Sequence, residues 1–241
     1  MRRASAVPAV GGDRTEVGLL AERAAEHIRS MIASGRLGPG DKVNEVEIAA
    51  ELEISRGPVR EAVRRFASTG LVVSERNLGS RVVQIDELGI RGLYEVRESL
   101  ESLAAKLAAT RMSAEDKRHL IDLLDRHEAA MSGDGFDAYP AGTSDWDFHL
   151  AVLKGSGNAV AWRICGSELR DMFALLRARH GQVAGRGKEA LCEHRRVAEA
   201  ICAGDADIAS VLMAQHIRNS YRNLLTLLDR PAEVLPEREA K

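Results

Sequence analysis

The chain has 241 residues, with 34 Lys and Arg against 36 Asp and Glu, a formal net charge of −2. Its 45% hydrophobic and 29% charged residues, with only 6 prolines, exclude collagen-like and disordered classes. One or two domains, each burying a real core, fit this length. A near-neutral total also argues against a nucleic-acid partner, which usually leaves a basic footprint. Only the placement of the charge can decide that point. Three cysteines (Cys165, Cys192, Cys202) form no CxxC pair, as expected of reduced thiols. No apolar run approaches the ~20 residues of a membrane span, and the first eighteen residues lack an apolar signal region. A cytoplasmic protein without membrane contact is the expectation.

In chain order, residues 1–18 read as a disordered arm, 19–86 as a first domain, 87–230 as a second and 231–241 as a frayed tail. The run LLAERAAEHIRSMIASG spaces Ala24, Ile28, Met31 and Ile32 along one helix face and stops at Gly35. After the turn-rich RLGPGDKV, Asn44 is placed to cap a short helix whose apolar face is Val46, Ile48, Ala49 and Leu52. Leu52-Glu53-Ile54 predicts a tight turn. Ser55 then caps a second helix, RGPVREAVRRFASTG, with Pro58 in its first turn, where a missing N–H is harmless. LVVSE and SRVVQI alternate around RNLG as a β-hairpin. Beyond Asp86 the strand signals vanish. Six segments, 86–111, 113–133, 143–157, 158–181, 188–205 and 206–230, carry helical apolar stripes and predict an all-α bundle.

Two short helices three residues apart, followed by a hairpin, make a winged helix-turn-helix. Residues 19–85 are barely basic, with 10 basic and 9 acidic residues, yet Arg56, Arg60 and Arg64 recur every four residues on one helix face. A recognition helix needs such long basic side chains to reach bases and phosphates. Ser55 and Gly57 are small enough for close approach, Ser55 can donate to a phosphate, and Gly79 lets the wing turn run close to a groove. Arginines alone would describe an ordinary solvated helix face. The complete helix–turn–helix–hairpin order favours a reader of double-stranded DNA.

In the second domain, Asp145 and His149 are i and i+4 on one helix, so they project to the same side. His194 lies ten residues before Gly204, and His216 eleven after Asp205. At ~1.5 Å per residue both sit ~15 Å from that turn, level with each other in an antiparallel pair. One carboxylate and three imidazoles at a common point suit zinc foremost, and also nickel, copper or manganese. The alternative is that each histidine is a hydrogen-bonded core residue. Arg97 could grip a carboxylate from inside the bundle, or form an exposed salt bridge with Glu98 or Glu101. Asn219, three residues beyond His216, is a candidate for the same lining. Asn158 reads as a helix cap, and His27, His119, His127 and His180 as surface or helix-end residues. Cys192 points away from His194 on its helix.

The segment from Arg36 to Val83, with SRGPVREAVRR, GLV and NLGSRV, resembles the winged helix-turn-helix of GntR-family bacterial transcriptional regulators. The helical remainder resembles the FCD ligand-binding domain of the FadR branch. The resemblance implies a homodimer on a palindromic operator, with Ser55, Arg56, Gly57 and Arg60 at the groove-facing end of the recognition helix and Gly79 at the wing tip. It also implies metal binding, because DWDFH, Glu193-His194 and MAQHI match the pattern of metal-binding FCD members at Asp145, His149, His194 and His216. Arg97 would face the ligand cavity and meet a small organic acid. Two departures stand out. Glu53 replaces the usual turn glycine, and Val46 stands where some relatives carry a DNA-contacting arginine. The function expected is a ligand-responsive regulator, usually a repressor, and not an enzyme. Two other readings are a helical domain that only dimerises, and a metal-dependent hydrolase, for which no carboxylate base with a defined partner is visible.

Overall fold

A computed structural model describes the backbone over residues 12–75, 79–131, 144–180 and 186–228, and side chains over 17–74, 79–131, 146–176 and 186–226. Residues 1–11, the wing turn at 76–78, and the tail therefore lie outside the described residues, as do the side chains of Asp145 and His180. The chain divides into two compact units, with the division between Gln84 and Ile85.

In the first unit, helix α1 (Gly12–Ala33) begins seven residues before the predicted boundary at residue 19. DRTEVG contains no proline to stop the helix there. The predicted stripe is the core: Ala24, Ile28, Met31 and Ile32 are all buried. Helix α2 (Glu45–Glu51) starts at Asn44, whose side chain accepts from the amides of Val46 and Glu47. Of its predicted apolar face, Ile48, Ala49 and Leu52 are buried, but Val46 is 57% exposed. In the first turn Val46 points off the packed side, so it belongs to the surface and not to the core.

Helix α3 (Arg56–Ser68) buries Pro58, Val59, Ala62, Val63 and Phe66. This i, i+3, i+4 stripe seats it on α1. The hairpin follows as β1 (Val72–Glu75) and β2 (Gly79–Val82), antiparallel, with Val72 opposite Val82 and Glu75 opposite Gly79. Val72 and Val82 point into the core and are almost fully buried.

The turn between α2 and α3 carries the strain that its sequence implies. Glu53 has φ = 55°, the only positive φ at a non-glycine among the described residues. A side chain in the left-handed region costs roughly 1–2 kcal/mol. Glu53→Gly is therefore expected to stabilise the chain by about 1 kcal/mol after the added backbone entropy of glycine. A thermal melt of the full chain should show a higher midpoint. An unchanged or lower midpoint would contradict strain at this turn.

The second unit is helical throughout its described residues: α4 (Glu87–Arg111), α5 (Ala114–Met131), α6 (Ser144–Gly155), α7 (Ala159–Ala161), α8 (Arg170–His180), α9 (Arg186–Ala203) and α10 (Ala206–Leu228). The segment predicted as one helix over 158–181 is broken. Asn158 caps α7 through the amides of Val160 and Ala161, but residues Trp162–Glu168 then widen into a π-helical stretch before α8. At Gly166 an added Cβ would lie 3.0 Å from the Trp162 ring, so the absence of a side chain lets the indole lie against the widened turn. Ala104, Ala105, Ala108 and Ala109 on α4 are buried and let α10 approach closely. Gly204, at φ = 78°, turns α9 into α10. Among the described residues no helix is long and apolar enough to cross a membrane.

Candidate nucleic-acid interface and metal centre

At the start of α3, Ser55 occupies the capping position, but its hydroxyl makes no cap hydrogen bond. The hydroxyl thus remains available for an outside acceptor. Ser55, Arg56, Gly57, Arg60 and Arg64 are all exposed, on the side of α3 opposite its buried stripe. Arg60 lies 3.6 Å from Glu45 of α2, and Arg64 lies 3.6 Å from Glu61. Arg65 points elsewhere and binds Glu22 of α1 at 2.8 Å. Exposed pairs of this length contribute little and give way readily to phosphates. Gly79, exposed and at φ = 85°, opens β2 at the wing. It lies beside Lys42, which bridges to Arg81.

In the second unit three histidines meet. His149 of α6, His194 of α9 and His216 of α10 are each at most 2% exposed. Nε2 of His216 lies 3.1 Å from Nε2 of His194 and 3.3 Å from Nε2 of His149. The level placement read from the Gly204 turn therefore holds in space. Carboxylates orient two of the rings from behind. Glu101 Oε2 accepts from His149 Nδ1 at 2.5 Å, and Glu193 Oε2 accepts from His216 Nδ1 at 2.7 Å. Each bond assigns the proton to Nδ1 and leaves a lone pair on Nε2. Phe148 stacks on His194 with ring centroids 4.2 Å apart.

Arg97 is 1% exposed, so neither exposed salt bridge is formed. It donates to Glu101 Oε1 at 2.8 Å and to His149 Nε2 at 3.1 Å. Its guanidinium lies 5.6–6.0 Å from the ring centroids of Tyr94, Trp146 and Phe173. Asn219 donates to Glu193 Oε1 at 2.7 Å. Glu193, His216 and Asn219 also line a small pocket with Arg196, Leu212 and Gln215.

Burial alone would raise the Glu101 carboxyl, but Arg97 and His149 outweigh it and hold the group at about 2. Burial of Glu193 is outweighed in the same way by His216 and Arg186, again to about 2. Cys165 is pushed up to about 12, first by burial and then by Glu101, so its thiol stays protonated.

Carboxyls titrating near 4.5 when unfolded and near 2 when folded stabilise the fold fully above pH 4.5 and lose that contribution as pH falls toward 2. The urea midpoint of the full chain is expected to drop steeply between pH 5 and pH 3. A flat profile there would contradict the two buried carboxylates.

The donor set fits a divalent ion. Three imidazoles whose ring nitrogens converge on one point, two of them backed by a carboxylate on the other nitrogen, are the kind of set such an ion uses. His149, His194 and His216 can each offer one ligand atom within 4.8 Å of the others. Asp145 stands one turn before His149 on α6, with its side chain outside the described residues. His127 reads from the sequence as a surface or helix-end residue, whereas it is 4% exposed. It falls on the stripe of Leu120, Leu124 and Met131, the i, i+4, i+7 signal that would have buried it. His27, by contrast, is partly exposed and pairs with Glu51 at 2.7 Å, and His119 is exposed. Sequence reasoning also left Glu193 and Arg186 without roles, and gave Glu101 only a surface ion pair.

A family model described as bacterial regulatory proteins, gntR family, matches residues 20–82, and one described as FCD domain matches residues 92–219. The probable D-xylose utilization operon transcriptional repressor of Paenarthrobacter nicotinovorans is 32% identical over 82% of this chain and 85% of its own length. This chain belongs to the GntR family. The GntR-family chain is accordingly a DNA-binding transcriptional regulator with an FCD domain. It is also similar to the Uxu operon transcriptional regulator of Escherichia coli K12, at 29% identity over 82% of this chain and 84% of the other. Two solved structures share its fold. Escherichia coli McbR/YncC has a TM-score of 0.76 and 19% identity, covering 87% of this GntR chain and 99% of the other. A GntR regulator from Rhodococcus sp. RHA1 has a TM-score of 0.69 and 24% identity, covering 86% and 97%.

Proposed function

We propose that this GntR-family regulator is a homodimeric repressor that leaves a palindromic operator when a small organic acid binds beside a metal ion in its FCD domain. Single observation carrying the ligand half: three buried imidazoles converge beside the buried guanidinium of Arg97. His149, His194 and His216, with Asp145 as the oxygen donor, would hold the ion, with zinc the first choice on this donor set. A bound divalent ion supplies a Lewis-acid seat for a carboxylate. Arg97 supplies the fixed cation beside it, and Asn219 with Glu193 orients His216. The acid has to bind one arrangement of the two reading heads better than the other, since only differential affinity shifts the equilibrium.

For the DNA half, Ser55, Arg56, Gly57, Arg60, Arg64 and the wing at Gly79 form the reading surface. Phosphate contacts by the arginines make affinity fall with salt, and base contacts by the start of α3 set the operator. A two-fold dimer places two such helices on half-sites one helical turn apart or a multiple of it. The relative from Paenarthrobacter nicotinovorans bears the name of a repressor, which favours that direction of control.

Native mass spectrometry of the freshly purified full chain tests this reading. A dimer carrying one divalent ion per chain, and retaining an added organic acid, is the expected result. A species that takes up neither zinc, nickel, copper nor manganese would overturn the metal half.

A further inference from the structure

Glu193 lies between α9 and α10 and is held from three sides. Its Oε2 accepts from His216 Nδ1 at 2.7 Å and from Arg186 at 3.0 Å, while Oε1 accepts from Asn219 at 2.7 Å. Arg186 is seven residues upstream on the same helix, so its side chain runs two turns along α9 to reach the carboxylate. It is 5% exposed, and one of its terminal nitrogens makes no hydrogen bond. Among the described residues, the Glu189 carboxylate is the group that stands near that nitrogen, at 3.7 Å.

The position is electrostatically unfavourable for an arginine. A buried guanidinium gives up its water and needs a close carboxylate in return. Glu193 is the contact that offsets this loss. The same pattern occurs on the other side of the histidines, on different helices. There Arg97 of α4 holds Glu101, which accepts from Nδ1 of His149. Two Arg–Glu–His chains thus converge from α4 and α9, and each turns an Nε2 toward the same point.

We infer that Arg186 and Glu193 are positioning residues for the metal centre: Arg186 fixes the Glu193 carboxylate, which keeps the His216 proton on Nδ1 and aims its Nε2 lone pair at His149 and His194. This inference rests on the metal reading of the three histidines. Neither residue touches the ion. Their effect passes through the tautomer and tilt of one ring, the kind of support whose loss typically weakens metal affinity 10–100-fold.

The test is the dissociation constant of Zn2+ on the full-length protein, by chelator competition, for wild type, Arg186→Met, Arg186→Lys and Glu193→Gln. The visible spectrum of the Co2+ form is recorded alongside. Arg186→Met and Glu193→Gln are expected to weaken Zn2+ binding roughly 10–100-fold and to change the Co2+ bands. Arg186→Lys, which keeps the charge, should recover part of the loss. Melting of each variant in excess chelator separates folding from positioning. Variants that melt lower yet bind Zn2+ as wild type does would overturn the inference, reducing both residues to structural roles. A wild type that binds neither ion would sink the metal reading and this inference with it. Wild-type binding with undiminished binding in the variants would sink the inference alone.

Discussion

Arg56→Ala and Arg60→Ala are each expected to lower operator affinity by roughly 10–100-fold, and the double variant to abolish specific binding at physiological salt. Each removes a side chain at the start of α3, proposed to face the groove, where a good base contact is worth about 1–3 kcal/mol. Both residues are exposed and lie opposite the buried stripe of Pro58, Val59, Ala62, Val63 and Phe66, so the fold should survive. Arg64, two turns along the helix, is proposed to contact phosphate. Arg64→Ala should therefore weaken all sequences about equally and reduce the salt slope by about one. Fluorescence anisotropy with operator and scrambled duplexes separates these outcomes. If the Arg60 variant kept its preference for the operator, α3 would not be the reader.

The second large effect falls on the other unit. His194→Ala is expected to abolish stoichiometric metal in the purified protein, because it removes the imidazole that stands 3.1 Å from His216 and stacks on Phe148. The truncation also leaves a cavity in a fully buried position, so some loss of stability accompanies it. Metal content is therefore measured on protein whose helical circular dichroism matches wild type. Full metal content in that variant would remove His194 from the site. Arg97→Ala should behave differently. It leaves all three imidazoles in place and should retain metal while losing response to an acid, although Glu101 is then left without its ion pair.

Much of this arrangement is legible in the sequence because it depends on spacing. The i, i+3, i+4 stripe of α3 fixes which way the arginines face, and the Asn44 cap marks where α2 starts. Nearly equal distances from the Gly204-Asp205 turn bring His194 and His216 level, since a helix rises by a constant amount per residue. Strain at Glu53 is legible only through the resemblance, in which glycine is usual at that place of the turn, and the φ of 55° bears it out. What spacing does not reveal is partner choice across helices. Glu101 and Glu193 look like members of solvated charge runs, and only the packing of α4 against α6 and of α9 against α10 turns them onto imidazoles. Arg186 carries still less signal, since a cation near a helix start normally points into solvent. The π-helical stretch at Trp162–Glu168 was equally hidden, because its apolar stripe is also compatible with a regular α-helix.

Charge placement is another case of the same kind. The total of 34 against 36 gives no hint of DNA, whereas three arginines on one exposed face and a buried guanidinium beside three histidines define two separate uses for positive charge. Coupling between those two places is the centre of the account. It is tested most directly by operator anisotropy of the wild-type protein as a carboxylic acid is titrated, once in metal-loaded and once in chelated form. Acid is expected to release the operator from the metal-loaded protein and to have little effect after chelation, with His194→Ala behaving like the chelated form. Operator binding that ignores both metal and every acid tried would contradict it, and would leave the helical domain with dimerisation as its only role.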